Sequence, residues 1–125
     1  MLNKVILVGR LTKDIELRST PKGVSICSFT LAVERNHQNA EGERETDFIN
    51  CTAWRGAAEF ISKFFRKGDM ICVEGSIQTR NWKDNEGNNR YGTDIVIDRS
   101  YFVGGKKATD YVPVEAYSHE DDLPY

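Results

Sequence analysis

Aromatic and polar side chains alternate along residues 46–54 in a pattern that favours contact with flat, polar ligands. If this stretch is a strand, successive side chains point to opposite faces. Phe48 and Trp54 then share one face with Asn50 and Thr52 between them, while the opposite face is apolar. Exposed aromatic rings gain nothing from water, whereas stacking on a nucleic-acid base is worth about 1–3 kcal/mol.

A second stretch, residues 70–82, repeats the pattern at the start of a predicted hairpin. Its two rows are Ile71, Val73 and Ile77 on the apolar side and Glu74, Ser76, Gln78, Arg80 and Trp82 on the polar side. The polar loop 83–89 leads to a returning strand, 90–97. Trp82 lies near Arg80 and Lys83, which suits stacking beside a phosphate. Cross-strand packing at the hairpin end explains the same tryptophan equally well.

Basic residues are spread through the same part of the chain. The candidate phosphate contacts are Lys4, Arg10, Lys13, Arg18, Lys22, Arg35, Arg55, Arg80, Lys83 and Arg90. A groove for single-stranded nucleic acid needs aromatic faces and positive charges interleaved. Any one of these cations is more often a solvated surface charge, so the prediction depends on the set.

Period-two alternation predicts three strands ahead of a helix. Residues 3–11 form an apolar run that we expect to be buried on both faces. Residues 25–35 alternate clearly, residues 36–45 are predicted to be a polar loop, and residues 46–54 form the third strand. A shorter alternating segment, 15–18, precedes a turn at 20–23.

The only helical periodicity falls on residues 56–67, with Gly68 as the predicted C-cap. Its apolar stripe is expected to plug the end of a barrel. Three strands, one helix and a two-stranded hairpin match the all-β, five-stranded OB barrel, whose helix lies between strands 3 and 4. Such barrels bind oligonucleotides or oligosaccharides on one face, so the fold narrows the partner without naming it.

Composition restricts the class of protein. The 125 residues fit one domain with a short tail, and 39% hydrophobic and 29% charged residues are ordinary for a soluble protein. No apolar run approaches the roughly 20 residues that span a bilayer, and no signal-peptide pattern is present, so a cytoplasmic protein is expected.

Catalytic and metal chemistry have little support. Cys27, Cys51 and Cys72 lack zinc-site spacing, and the first two fall on apolar rows as expected for buried thiols. His37 and His119 have no nucleophile nearby, and no phosphate-binding glycine loop is present. The sequence therefore predicts no enzyme, no metal and no cofactor.

Charge is distributed unevenly. Residues 1–105 contain 15 basic and 14 acidic residues, whereas residues 106–125 contain two basic and five acidic ones. The chain ends in Asp121, Asp122, Leu123, Pro124 and Tyr125. Acidic residues beside apolar anchors and a terminal carboxylate suit a peptide that docks into a basic-rimmed pocket. An ordinary frayed acidic terminus is the competing interpretation.

Over residues 1–103 the chain resembles the bacterial and phage single-stranded DNA-binding protein (SSB) family, especially its Gram-positive members. The stretches that carry the resemblance are Met-Leu-Asn-Lys-Val-Ile-Leu-Val-Gly-Arg-Leu-Thr-Lys-Asp at 1–14, Phe-Thr-Leu-Ala-Val at 29–33, Asp-Phe-Ile-Asn-Cys at 47–51, Phe-Arg-Lys-Gly at 65–68 and Glu-Gly-Ser-Ile-Gln-Thr-Arg at 74–80. The ending at 121–125 is similar to the acidic Leu-Pro-Phe tip typical of the family.

The resemblance implies a homotetramer of OB domains that coats single-stranded DNA in replication, recombination and repair. It implies stacking by Phe48, Trp54 and Trp82, a fourth stacking position at His37, and recruitment of partner enzymes by the tip. This chain departs from the family pattern in His37 for an aromatic residue, Tyr125 for phenylalanine, and a short linker. The implied organisation is a domain at 1–105, a linker at 106–119 and a tip at 120–125, in a cytoplasmic, nucleoid-associated protein. A chromosomal, phage, plasmid or secondary form is equally compatible.

Two other functions share the OB fold. The polar face could belong to an adaptor that binds a protein or an oligosaccharide, or to an enzyme acting on nucleic acid. Phosphate contacts release counterions, so a steep fall of affinity with salt separates a DNA binder from an adaptor.

Overall fold

Alternation of polar and apolar residues produces five long strands and one strand of two residues. The computed structural model describes residues 1–103, so the predicted linker and tip lie outside the described residues. The elements are β1 (Val5–Leu11), β2 (Arg18–Ser19), β3 (Ser25–Gln38), β4 (Arg44–Trp54), α1 (Arg55–Phe64), β5 (Met70–Lys83) and β6 (Asn89–Phe102). Within residues 1–103, no helix has the length and apolar character needed to cross a membrane.

The strands close into a barrel. Their order is β1-β5-β6-β4-β3-β2, and pairing of β1 with β3 joins the two ends. All pairs are antiparallel except β4 with β6. The five long strands, with α1 between the third and the fourth, confirm the predicted OB barrel.

The core is built from the apolar rows that alternation identified. The strands contribute Leu11, Cys27, Leu31, Cys51, Ala53, Ile71, Val73, Ile95 and Ile97, all nearly inaccessible to solvent. The helix packs against β3, β4 and β6 and adds Ala58 and Ile61, and Phe65 follows just beyond its end. Phe65 stacks on Phe102 with ring centroids 4.9 Å apart. The expected burial of Cys27 and Cys51 is confirmed.

Two hairpins extend further than the sequence predicted. β3 continues to Gln38 and β4 begins at Arg44, so half of the predicted loop 36–45 is strand. β5 and β6 pair as far as Lys83 with Asn89. Both faces of the β3–β4 arm are solvent-exposed and its residues are polar on both sides, so the period-two signal disappears there although the strands continue. The β5–β6 arm is longer than predicted by one residue on each strand at its tip.

The helix ends earlier than predicted. Phe65, with extended backbone, is the C-cap, and its N–H donates to the Ile61 carbonyl at 3.1 Å. Gly68 does adopt a left-handed φ of 86°, but in the following turn, where its N–H donates to the Leu11 carbonyl. The prediction of Gly68 as C-cap is therefore wrong, because burying the Phe65 ring ends the helix three residues earlier.

One face of β1 is open. Ile6 and Val8 are 65% and 47% exposed, so the prediction that this strand is buried on both faces is wrong for the single chain. β1 pairs with β5 along Val5–Arg10, but with β3 only at Arg10 and Leu11. Within the described residues, the β1 edge from residue 5 to residue 9 has no partner strand.

Candidate nucleic-acid interface

A groove of about 630 Å³ crosses the outer face of four adjacent strands, β3, β4, β6 and β5. Its lining residues are Lys13, Ile26, Ser28, Phe29, Thr30, Asn50, Cys51, Thr52, Trp54, Gln78, Thr79, Arg80, Asp94 and Val96. Most carry hydroxyl, amide or charged groups, since they belong to the rows that face away from the core. The groove thus offers hydrogen-bonding groups, an indole and two cations on one surface.

The row on β4 carries two of the predicted stacking residues. Phe48 is 67% exposed and Trp54 is 41% exposed, and both lie on the outward row with Asn50 and Thr52. Trp54 lines the groove, whereas Phe48 continues the row beyond the lining residues. The exposure of both rings agrees with the prediction that this row faces solvent and is available to a ligand.

The chain changes direction sharply after Trp54. Arg55 has a φ of 56°, the left-handed conformation, in which a side chain costs about 1–2 kcal/mol. The helix begins at once, without a side-chain cap on its first turn. This turn keeps Trp54 on the sheet while Arg55 leaves it, and Arg55 does not line the groove.

Trp82 is part of a packed unit on the β5–β6 hairpin. The Arg80 guanidinium lies 4.6 Å from the indole centroid, and Arg80 Nε donates to Asp94 Oδ2 at 2.7 Å. Gly92 is paired with Arg80, and a Cβ there would stand 3.0 Å from the Trp82 ring. The unit leaves one face of the indole occupied by Arg80, and the side chain remains 42% exposed.

A second concavity, of about 310 Å³, lies on the same hairpin. It is lined by Asn81, Trp82, Lys83, Asn89 and Tyr91. Sequence reasoning missed Tyr91, which is 75% exposed. Alternation from Arg90 through Gly92 would have shown that this ring lies on the face opposite Trp82.

The two hairpins share a sequence repeat that the sequence reasoning also missed. Residues 35–42 and 80–87 both read Arg-Asn-x-x-(Asn or Asp)-x-Glu-Gly, and His37 occupies the position of Trp82. In each turn one Asx side-chain oxygen, from Asn39 or Asp84, accepts two backbone N–H groups at 2.9–3.0 Å. The closing glycines have φ values of 81° and 80°. His37 thus lies on a strand and is exposed, not in a loop as predicted.

Many of the predicted phosphate contacts already have an anionic partner. Their ion pairs are Lys4 with Glu74, Arg18 with Glu16, Arg35 with Glu45 and Asp47, Arg80 with Asp94, and Arg90 with Asp84. Lys13, Arg55 and Lys83 make no ion pair among residues 1–103. Arg10 donates to the Gly68 carbonyl at 3.0 Å. A phosphate would contact Lys13, Arg55 or Lys83 without displacing a carboxylate.

Arg35 makes the most extensive of these pairs. Its Nε and Nη2 donate to both oxygens of Asp47 at 3.1 and 3.0 Å, and Nη1 donates to Glu45 at 2.8 Å. The hydrogen bond from Arg35 lowers the pKa of the Asp47 carboxyl. These three hydrogen bonds link β3 to β4 at the base of the hairpin arm.

Lys4 lies on a different surface. It pairs with Glu74 at 3.4 Å, and Glu74 also accepts a hydrogen bond from the Tyr101 hydroxyl at 3.1 Å. Glu74 is directly opposite Ile6, so this pair flanks the exposed apolar face of β1. The hydrogen bond from Tyr101, followed by that from Lys4, lowers the pKa of Glu74.

Residues 1–103 contain no group of three or more His, Cys, Asp or Glu side chains arranged to hold a metal ion. The cysteines are free, and burial raises the thiol pKa of Cys27 to about 11 and of Cys51 to about 12. Such thiols are protonated, hence poorly nucleophilic, at neutral pH.

An OB barrel with an aromatic, polar and cationic groove defines the class of domains that bind single-stranded nucleic acid or other oligomers on an open face. The model of the single-strand binding protein family matches residues 2–103. The chain therefore belongs to the single-strand binding protein family.

Individual proteins similar to this chain carry names that agree with this family. Single-stranded DNA-binding protein 2 of Listeria monocytogenes is 51% identical over 106 residues, which are 85% of this chain and 66% of the relative. Single-stranded DNA-binding protein 1 of Staphylococcus aureus is 49% identical over 86% of this chain and 65% of its own length. Single-stranded DNA-binding protein 1 of Streptococcus pyogenes is 43% identical over the full length of both chains. The matched part of the chain thus spans about two thirds of the length of the Listeria and Staphylococcus relatives.

Proposed function

We propose that this chain binds single-stranded DNA without sequence preference and protects it, with no catalytic step. The observation that supports the proposal is the groove over β3, β4, β6 and β5, whose lining includes Trp54, Lys13 and Arg80. Every base has a π face and every nucleotide a phosphate, so this combination binds a strand whatever its sequence. Membership of a family whose named members are single-stranded DNA-binding proteins supports it.

Stacking is assigned to Trp54, Phe48 and Trp82, with His37 as a weaker fourth position. All four side chains are exposed. Trp82 is already supported on one side by Arg80, so a base would stack on its other side or its edge. His37 holds the corresponding position on the other hairpin and presents a smaller ring.

The cations divide into two groups. The candidate cations without a carboxylate partner among the described residues are Arg10, Lys13, Lys22, Arg55 and Lys83. We assign the first phosphate contacts to Lys13 and Lys83, which line the two concavities, and more peripheral contacts to the others. Those in ion pairs would bind phosphate only by exchanging one anion for another. We therefore expect fewer released counterions than the number of basic residues implies.

We propose that the protein assembles as a homotetramer, as the family resemblance implies. The open edge of β1 at residues 5–9 and the exposed Ile6 and Val8 support a contact between copies. An unpaired strand edge with apolar side chains invites pairing with another chain. Lys4 and Glu74 would then flank that contact and not the DNA.

The acidic tip, Asp121 to Tyr125, is proposed to recruit replication, recombination and repair proteins in the cytoplasm, at the nucleoid. Its residues are acidic with Leu123 and Tyr125 as apolar anchors. This division of labour puts DNA binding in the barrel and partner binding in the tail.

Tryptophan fluorescence tests the proposal directly. The full chain is titrated with a long oligothymidine at low and high salt, beside the same strand annealed into a duplex. Strong quenching by the single strand only, which saturates at a fixed nucleotide ratio and weakens with salt, is the expected result. Absence of binding would refute DNA binding and leave the adaptor function of the same fold.

A further inference from the structure

The arm of the β5–β6 hairpin has two exposed faces with different chemistry. Trp82 is paired with Arg90 and Arg80 with Gly92, so these four residues share one face. Asn81 is paired with Tyr91 and Lys83 with Asn89, so those four share the opposite face. Residues 79–83 and 89–91 are all exposed because the arm extends beyond the barrel core.

Tyr91 dominates the face opposite Trp82. At 75% exposure it is more accessible than Phe48, Trp54 or Trp82. Among residues 1–103 its ring stacks on no other ring, and its hydroxyl makes no hydrogen bond. A tyrosine held on a paired strand with its ring in solvent is a rigid aromatic surface with no intramolecular use.

Charge separates the two faces as well. On the Trp82 face, Arg80 is bound to Asp94 at 2.7 Å and Arg90 to Asp84 at 2.9 Å. The opposite face carries Lys83 without a carboxylate partner among the described residues. The positive charge on this arm that is available to a phosphate therefore lies beside Tyr91.

The second concavity joins these groups. Its volume of about 310 Å³ is at the lower end of small-ligand clefts, and its walls are Asn81, Trp82, Lys83, Asn89 and Tyr91. The path from the main groove is continuous: Arg80 lines the groove, Trp82 stacks on Arg80, and Trp82 borders the second concavity. A DNA strand that leaves the main groove can therefore reach the second concavity. The four residues of the Tyr91 face include no acidic side chain that would repel it.

We propose that the face formed by Asn81, Lys83, Asn89 and Tyr91 is a second single-stranded DNA contact, in which Tyr91 stacks on a base and Lys83 contacts a phosphate. The two asparagine amides offer both donors and acceptors to base edges. The strand passes around the hairpin arm from the Trp82 side to the Tyr91 side. This proposal rests on the proposed function and adds a contact that the main groove lacks.

Affinity for a long strand tests the contact. Tyr91→Ala in the full chain is expected to weaken binding of an oligothymidine of about 60 nucleotides by about 5- to 150-fold, the effect of losing one stacked base. Tyr91→Phe is expected to restore binding, since stacking needs the ring and not the hydroxyl. Thr93→Ala, exposed on the same face of the same strand, is the matched control and should bind as the unmodified chain does.

Photocrosslinking locates the contact. An oligothymidine with 5-iodouracil substitutions is bound, irradiated and digested with trypsin. Cleavage after Arg80, Lys83, Arg90 and Arg99 puts Trp82 in peptide 81–83 and Tyr91 in peptide 91–99. A nucleotide adduct on 91–99 that disappears in Tyr91→Ala is the expected result.

The outcomes separate this proposal from the proposed function. Normal affinity of Tyr91→Ala and no adduct on 91–99, in a chain whose Trp54→Ala variant is impaired, would overturn the second contact alone. No binding by the unmodified chain would overturn the proposed function itself. If Tyr91→Ala instead changes the sedimentation of the DNA-free protein and leaves DNA affinity unchanged, the face is an interface between copies and the proposal is wrong.

Discussion

Replacing Asp94 with asparagine should tighten binding of single-stranded DNA. Asp94 lines the main groove, and its Oδ2 accepts from Arg80 Nε at 2.7 Å. A polyanion entering the groove therefore meets a fixed carboxylate and an arginine that is already partnered. Asparagine has nearly the same shape and keeps an oxygen for Arg80, so Asp94→Asn removes the negative charge with little change in packing.

The expected gain follows from Coulomb's law. Repulsion between the carboxylate and a phosphate about 7 Å away is about 0.6 kcal/mol in bulk water and about 2.4 kcal/mol at an effective dielectric constant of 20. Affinity at low salt should therefore rise about 3- to 50-fold. If Arg80 then neutralises one more phosphate, the plot of log affinity against log salt steepens by about 0.7. The side chain of Arg80 is 57% exposed, so losing this ion pair should change the free energy of unfolding by no more than about 1 kcal/mol.

The assay is the fluorescence titration repeated from low to high salt. Asp98→Asn is the matched control, because Asp98 is exposed on the same strand, lines neither concavity and changes the net charge equally. Weaker binding by a folded Asp94→Asn variant would refute the reasoning and make Asp94 a positioning residue for Arg80. Equal tightening in both variants would mean that only net charge matters.

Four further predictions concern stacking, the tail, packing and pH. Trp82→Ala should weaken binding of single-stranded DNA by about 1–3 kcal/mol in titration while the circular dichroism spectrum stays unchanged. Deleting residues 120–125 should preserve or slightly tighten DNA binding at low salt, since it removes acidic charge, and should abolish partner capture. Gly75→Ala should lower the urea midpoint, corresponding to about 1–3 kcal/mol, because a Cβ there overlaps the Val96 carbonyl oxygen. Burial raises the pKa of Cys51 from 9.0 to about 12, so stability should fall as pH rises from about 9 towards 12, as the unfolded chain ionises first.

Each of these predictions has a result that would contradict it. Unchanged affinity of folded Trp82→Ala would return the ring to a packing role. Loss of DNA binding on deleting the tail would overturn the separation between barrel and tip. Gly56→Ala, where a Cβ meets nothing within 4 Å, is the control for Gly75→Ala, and equal destabilisation of both would refute the overlap. Rapid alkylation of native Cys51 at pH 8 would show that its thiol is not buried as described.

The sequence alone was sufficient to predict the alternating faces of the strands and the order of strands and helix. The period-two row of β4 predicted burial correctly at Cys51 and Ala53, and Ile49 on the same row is half-buried. A strand with one face in solvent shows this difference between its faces in the local sequence. The helix and its order among the strands identified the OB barrel. Exposure of Phe48 and Trp54 on the outward row was readable from the same alternation.

Tertiary structure decided which of these residues meet. Parallel pairing of β4 with β6 brings Thr52 beside Val96 and makes one groove from strands distant in sequence. Arg80 is paired with Asp94, on the other strand of its hairpin. Whether Arg80 contacts a phosphate depends on competition between that phosphate and Asp94, which the local sequence around Arg80 does not reveal. Exposure of Ile6 and Val8 likewise depends on which strands cover β1. Alternation reports whether one face of a strand is dry, whereas pairing register and the choice of ionic partner depend on residues that only folding brings together.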